Sequence, residues 1–441
     1  MKPPRPLLLA IAISCSLNVS AETVKDREGA VRKDRATMEE DPRWIYNDYR
    51  RGFAESRRSG KPLLVVLRCV PCLSCAGIDA GVLEEKELVP LLDQFVCVRV
   101  INANALDLDL FQFDYDLSFS TVFFNGDGTV YGRYGSWRHQ KDPLEKATAG
   151  YRRALEGVLE IHRQYPANKT MLAGKQGRPL PFKQPLEIPG LAGKYQPELD
   201  WTGKVVQSCV HCHQISDGLR EHHRAQREQI PAQWIYPMPP PETIGLALSA
   251  DEAAHVESVL PDSPAARAGL QPGDDILAVG DQPLVSIADL SWALHHAPVN
   301  GTLNVTFKRA GASKKATLTL PAQWREKTDI SRRVATWPMR AMALGGLLVE
   351  DLNEAARRQR GLSNETMALV VKHVGQYDKH AAAKKAGFQK DDIIIRLGAF
   401  KERMTESAVI GRVLQAHQPG EKVDATVLRG SEETTLNLPM Q

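Results

Sequence analysis

Lys61-Pro62-Leu63-Leu64-Val65-Val66-Leu67-Arg68-Cys69-Val70-Pro71-Cys72-Leu73-Ser74-Cys75 is the stretch whose reading decides the fold of the N-terminal part of the chain. Its apolar run is short and uninterrupted, as in a strand buried on both faces, and three cysteines follow at once. Upstream, Trp44, Ile45, Tyr49 and Phe53 recur at spacings of three to four, so a helix is expected from Asp41-Pro42 to the stop at Ser59-Gly60. Downstream come a helical stretch from Val82 to Leu92 and a second buried strand from Phe95 to Ile101. A third strand, Thr121 to Phe124, turns at Asn125-Gly126-Asp127-Gly128 into Thr129 to Tyr131, and a helix runs from Leu144 to Ile161. This order makes residues 42–165 an α/β unit.

Ahead of it, Lys2 and Arg5, the apolar run Leu7 to Leu17 and the small residues Val19-Ser20-Ala21 read as a signal peptide over residues 1–21. The run is too short to span a bilayer, and no other candidate span follows, so a periplasmic or otherwise exported protein is expected. Ala12-Ile13-Ser14-Cys15 is a poor lipobox that offers Cys15 as a lipid anchor instead. Residues 22–41 are charged, lack apolar periodicity and are expected to be a mobile lead-in. The net charge of +3, about +1 without the leader, gives no reason to expect nucleic acid or an anionic membrane as partner.

Prolines 179, 181, 185, 189 and 197 among glycines mark residues 166–197 as a linker or irregular wrap. Residues 198–242 contain Cys209-Val210-His211-Cys212-His213 and end in Pro237-Met238-Pro239-Pro240-Pro241. Two related units follow, residues 243–322 and 340–441, joined by a connector over 323–339. The first carries Ser263-Pro-Ala-Ala-Arg-Ala-Gly-Leu-Gln-Pro-Gly-Asp-Asp-Ile-Leu277, and the second carries Gly387-Phe388-Gln389 and Asp391-Asp-Ile-Ile394 at matching places. This is a twofold internal repeat. In an exported chain, cysteines clustered at these spacings point to redox or cofactor chemistry rather than a disulfide scaffold.

Lys61-Pro62, the apolar strand and the cysteines resemble the thioredoxin fold. Laying the chain on that pattern puts the redox pair at Cys72 and Cys75, with Cys69 an additional thiol, although Cys69 and Cys72 also form a Cys-x-x-Cys. The resemblance implies Cys72 as nucleophile, its thiolate stabilised at a helix N-terminus, and Cys75 as resolving thiol. Cys97, inside an apolar strand, is expected to be an inert core residue. Ser120 stands where thioredoxins carry their cis-proline, which leaves room beside the thiols for a soft metal such as Cu(I).

Cys-x-x-Cys-His in an exported chain is the attachment signature of a c-type haem, with Cys209 and Cys212 on the vinyl groups and His213 on the iron. Zinc is the alternative, with His211, His222 and His223 as further ligands. Met238 resembles the axial methionine of small cytochromes c, and the segment is too short to bury a haem alone.

Ser263 to Leu277 and Ile244-Gly245-Leu246 resemble the PDZ domains of bacterial envelope proteases. The resemblance implies a carboxylate loop and entry strand at Ile244, Gly245 and Leu246, with Leu290 and Leu294 on the opposite wall. In the second copy Leu344-Gly345-Gly346-Leu347 takes the loop role, and Asp391 replaces a usual glycine. No Gly-x-Ser-Gly-Gly stretch is present, so a protease is not expected. The whole order resembles a bacterial family that fuses a thioredoxin-like domain, a CxxCH segment and PDZ domains, some members carrying selenocysteine. The expected fold is therefore multidomain α/β plus α+β, with a short cytochrome c-like segment. The expected function is a periplasmic thiol–disulfide redox protein with covalent haem, its PDZ modules recruiting a partner polypeptide. The alternative is a non-enzymatic envelope scaffold or copper-handling protein.

Overall fold

A computed structural model describes residues 26–70, 85–135 and 148–441. The signal peptide, Cys15, Cys72 and Cys75 lie outside the described residues. The N-terminal sheet has the order β1-β3-β2-β4-β5, with β1 Trp44–Tyr46, β2 Leu63–Arg68, β3 Val96–Val100, β4 Phe119–Phe124 and β5 Val130–Tyr134. The first three strands are parallel, β4 runs antiparallel to β2, and β5 runs antiparallel to β4. Every residue of β2 is buried, in keeping with its unbroken apolar run.

Two expectations fail here. Trp44 and Ile45 belong not to a helix but to β1, which adds to the sheet edge with Trp44 opposite Cys97; the helix begins only at Tyr49, capped by Asp48. The three-to-four spacing of aromatic residues was produced by a strand and a helix in succession. The lead-in is a helix, Arg27–Glu40, capped by Asp26. Its anchor is electrostatic: Asp34 pairs with the buried Arg99 of β3, a contact that no apolar periodicity reveals.

The proline-rich stretch is a wrap rather than a free linker, because Leu172, Ile188 and Leu191 are buried and Ile188 and Leu191 join the core beneath the sheet. The CxxCH segment has no core of its own. Val210, Ile215 and Leu219 pack into the N-terminal domain, while Ile230, Ile235 and Tyr236 pack into the C-terminal unit. A segment this short is not expected to form a core alone, and its apolar residues are shared between its neighbours.

The next unit has strands β6 Leu246–Leu248 and β7 Val256–Val259 as one pair, and a sheet ordered β11-β10-β8-β9, with β8 Asp275–Val279, β9 Gln282–Pro283, β10 Gly301–Arg309 and β11 Ala312–Leu320. The C-terminal unit is a five-stranded antiparallel sheet ordered β12-β13-β14-β15-β16, with β12 Leu347–Asp351, β13 Leu369–Val374, β14 Ile393–Leu397, β15 Lys422–Arg429 and β16 Glu432–Pro439. The repeat extends to single contacts. Asp274 accepts from the Gln271 amide and pairs with Arg309, and Asp392 does the same with Gln389 and Arg429. Asp391 adopts φ 70°, the left-handed conformation held by Gly273 in the first copy, so the missing glycine leaves the turn intact.

The domains are joined by buried charges. Asp289, in the helix Ile287–His295, accepts from the Arg133 amide of β5 (3.0 Å) and the Val285 amide (2.9 Å), and pairs with Lys175 of the wrap at 2.8 Å. Burial pushes the Lys175 amine down and Asp289 opposes it. Removing one partner of a buried pair leaves an uncompensated charge, which costs about 3–5 kcal/mol. Asp289→Ala is expected to lose that much in the denaturant transition that separates the domains, whereas Lys169→Ala, whose partner Asp127 lies at the surface, changes it by less than about 1 kcal/mol.

Candidate functional site

Three places collect the residues singled out by the sequence. The first is a cluster at the end of β2. Cys69 Sγ lies 3.4 Å from His211 Nδ1, and both face a cavity shared with Cys209 and Cys212. His211 precedes the helix Cys212–Ala225, and its amide donates to Gln214 Oε1 at 2.9 Å. His213, one residue into that helix, has Nδ1 3.4 Å from Asp217 Oδ2. Folding thus brings Cys69 against the CxxCH motif, although 142 residues separate Cys69 from His211.

The cavity that Cys209 and Cys212 share with Cys69 measures about 20 Å³ and is not lined by His213, which is half-exposed. Met238, the expected sixth ligand, lines a different cavity altogether; its amide donates to His295 Nδ1 at 3.3 Å and its carbonyl accepts from Arg333. His222 stands edge-on to Phe182 and His223 bonds Glu228. No group of three or more His, Cys, Asp or Glu side chains among the described residues is placed to hold a metal ion.

The second place is the groove of the first repeat unit. Gly245 has φ 87°, ending the turn Pro241–Ile244 ahead of β6. Ile244, Leu246, Leu290 and Leu294 are all buried in that unit's core. The expected wall residues Leu290 and Leu294 therefore face inward, and Ile287, Ala288 and Ser291 present the helix to the groove. Across from them stand Phe113, Leu117, Ser120 and Tyr134 of the N-terminal domain, enclosing about 350 Å³.

The third place is the groove of the C-terminal unit, about 970 Å³, between β12 and the helix Glu406–Ala416. β12 is the sheet's edge strand. Its Val349 amide donates to Glu406 Oε1 at 3.0 Å, and Glu406 is clasped by Arg340. Sequence reasoning missed Phe113, Leu117 and the buried Arg333, which bonds Asp114 at 3.0 Å. They lie far apart in the chain, and the one local hint was an aspartate inside the largely apolar helix Ile287–His295.

Comparison with known proteins agrees with the domain content. A "Thioredoxin-like" family model matches residues 44–126 and a "PDZ domain" model matches residues 243–320. The chain thus carries a thioredoxin-like domain and a PDZ domain. A "Probable periplasmic serine endoprotease DegP-like" of Pseudomonas fluorescens is 29% identical over 188 residues, which is 43% of this chain and 37% of the relative. "Serine protease Do-like HtrA" of Lactococcus lactis subsp. cremoris is 45% identical over 65 residues, 15% of this chain and 16% of the relative. The solved structure "HtrA-type protease AlgW with decapeptide" is 20% identical at a TM-score of 0.21, covering 31% of this chain and 40% of that one. The chain thus spans less than half the length of these curated relatives.

These relatives correct two expectations. The haem-bearing thiol–disulfide redox protein and the exclusion of a protease both give way, because curated sequences similar to this chain are named serine proteases.

Two measurements check the buried groups. His295 is held well below its usual pKa of 6.5 by burial first, then by His296, Arg325, Arg133 and Arg333. It stays neutral in the fold and protonates in the unfolded chain, which binds more protons below about pH 6.5. Stability therefore falls as pH drops below about 6.5 and is indifferent to this group above it; His295→Gln is expected to flatten that slope in denaturant melts. Burial pushes the Cys97 thiol up to about 12, so iodoacetamide at pH 8 should label Cys97 only after unfolding, as read by peptide mass spectrometry.

Proposed function

We propose that this chain recognises polypeptide termini in the periplasm through its two C-terminal units, both of PDZ type, and serves proteolysis of the kind named for its relatives. The observation that carries this reading is the edge strand β12 facing the helix Glu406–Ala416 across an open groove. An extended peptide adds to such an edge by main-chain hydrogen bonds, and a glycine-bearing turn beside the strand receives the terminal carboxylate. Gly345 and Gly346, at φ 60° and 90°, supply that turn ahead of β12. An incoming strand takes over the Val349 amide from Glu406, so the groove is charge-latched but not filled. The PDZ match over residues 243–320 and the peptide-accessible space in the first unit support the same role for it. No described helix is long and apolar enough to cross a membrane, and DegP-like relatives named as periplasmic agree with export.

The test is fluorescence anisotropy on the whole mature chain with a labelled ten-residue peptide ending in three apolar residues. The free carboxylate form is expected to bind in the micromolar range. Its C-terminal amide should bind at least about tenfold more weakly, a loss of ~1.4 kcal/mol. Ala408→Trp, which fills the C-terminal groove from its helix side, should remove one of two binding phases and leave the melting temperature unchanged. Equal binding of acid and amide, or no binding by either, overturns the proposal.

A further inference from the structure

We infer that the thioredoxin-like domain is itself one wall of the first PDZ groove and selects the side chain of the ligand's last residue, with Phe113 and Leu117 as specificity residues. The inference rests on the polypeptide-binding reading above and goes further in assigning part of the site to a different domain.

β6 has β7 on one side only, so its other edge is open to an added strand. The helix Ile287–His295 lies beyond that edge, with Ile287, Ala288 and Ser291 toward the space. In a free-standing module the far side of such a groove is solvent. Here it is closed by Phe113, Leu117, Ser120 and Tyr134, and Met238 completes the lining. The wall is fixed in place. Ser286, at the N-terminus of the groove helix, donates to the Arg133 carbonyl, Asp289 takes the Arg133 amide, and Trp292 Nε1 donates to the Gly174 carbonyl at 2.9 Å. On the other flank Arg333 bonds Asp114 and Asp116, the residues between and beside Phe113 and Leu117.

The chemistry of the lining identifies the occupant. Phe113, Leu117, Leu248, Ile287 and Met238 make an apolar interior. Of the charged groups at its border, Asp114 is paired by Arg333 and Asp329 accepts from the Ser331 amide and Ser407 hydroxyl, while Lys327 and Arg332 also line it. A chamber of about 350 Å³ holds a bulky apolar side chain with its flanking backbone but not a long strand running on in both directions. The ligand is therefore the apolar C-terminal end of a polypeptide.

The second groove is silenced with Ala408→Trp, and the whole chain is incubated with the ten-residue peptide carrying benzoylphenylalanine as its last residue. After irradiation and digestion, the cross-link is expected on residues 113–120 as well as on 287–291. Replacing the last residue by glycine, which leaves the apolar chamber unfilled, should weaken binding at least tenfold. Leu117→Trp should weaken the aromatic-ended peptide similarly while sparing one ending in alanine. If the peptide binds but cross-links only within residues 243–320, the shared wall is refuted and polypeptide binding survives. If the Ala408→Trp protein binds no peptide while the unaltered chain does, the first groove is not a site and this inference alone falls. If the unaltered chain binds nothing, the underlying reading falls with it.

Discussion

The Asp289 carboxylate, 2% exposed, is the contact on which the arrangement of the domains depends. It sits in the groove helix of the PDZ domain, yet its oxygens are used by the edge strand of the thioredoxin-like sheet, by its own helix entry and by a lysine of the proline-rich wrap. Taking a carboxylate and an ammonium out of water is costly unless both are paired and hydrogen-bonded, so neither domain can hold its half of this cluster alone. A carboxylate that needs partners from three segments fixes their relative placement in a way that an apolar patch, which tolerates sliding, does not.

Steric fit reinforces the junction. A Cβ at Gly132 would come within 2.4 Å of Val285 Cγ2, so the edge strand approaches the PDZ domain as closely as a backbone without a side chain allows. Arg133 lies with its guanidinium 3.4 Å over the Trp292 ring and gives Nε to the Gln112 carbonyl. The sheet edge, an open template for unwanted pairing in a free domain, is covered. The same closure leaves one wall of the PDZ groove made of thioredoxin-like residues, so rigidity between the domains and shape of the binding space have one cause.

The spacing Cys-x-x-Cys-His is legible in any sequence, but its surroundings are not: the segment bearing the motif packs Val210, Ile215 and Leu219 into the N-terminal domain and Ile230, Ile235 and Tyr236 into the C-terminal unit. The bond from Tyr236 to the Ser407 carbonyl at 2.9 Å ties that region to the groove helix of the C-terminal unit. The segment works as a brace between ends of the molecule, and no local pattern announces a brace.

By itself the sequence determined the strands and most helices, since unbroken apolar runs and turn glycines act over a few residues. It also determined a thioredoxin-like and a PDZ domain and a twofold repeat that aligns Asp274 with Asp392, whose matching contacts only the structure shows. Only the tertiary structure decided that the charged lead-in is a helix, held by Asp34 on Arg99, and that Trp44 starts a strand. It alone turned Leu290 and Leu294 into the core, put Met238 away from His213, and brought Phe113 and Leu117 to the PDZ groove. The reason is common to all of these. Each depends on a partner distant in the chain, and burying a charge or choosing which face of a helix meets a neighbour is settled by what that neighbour offers, which residue type and spacing do not encode.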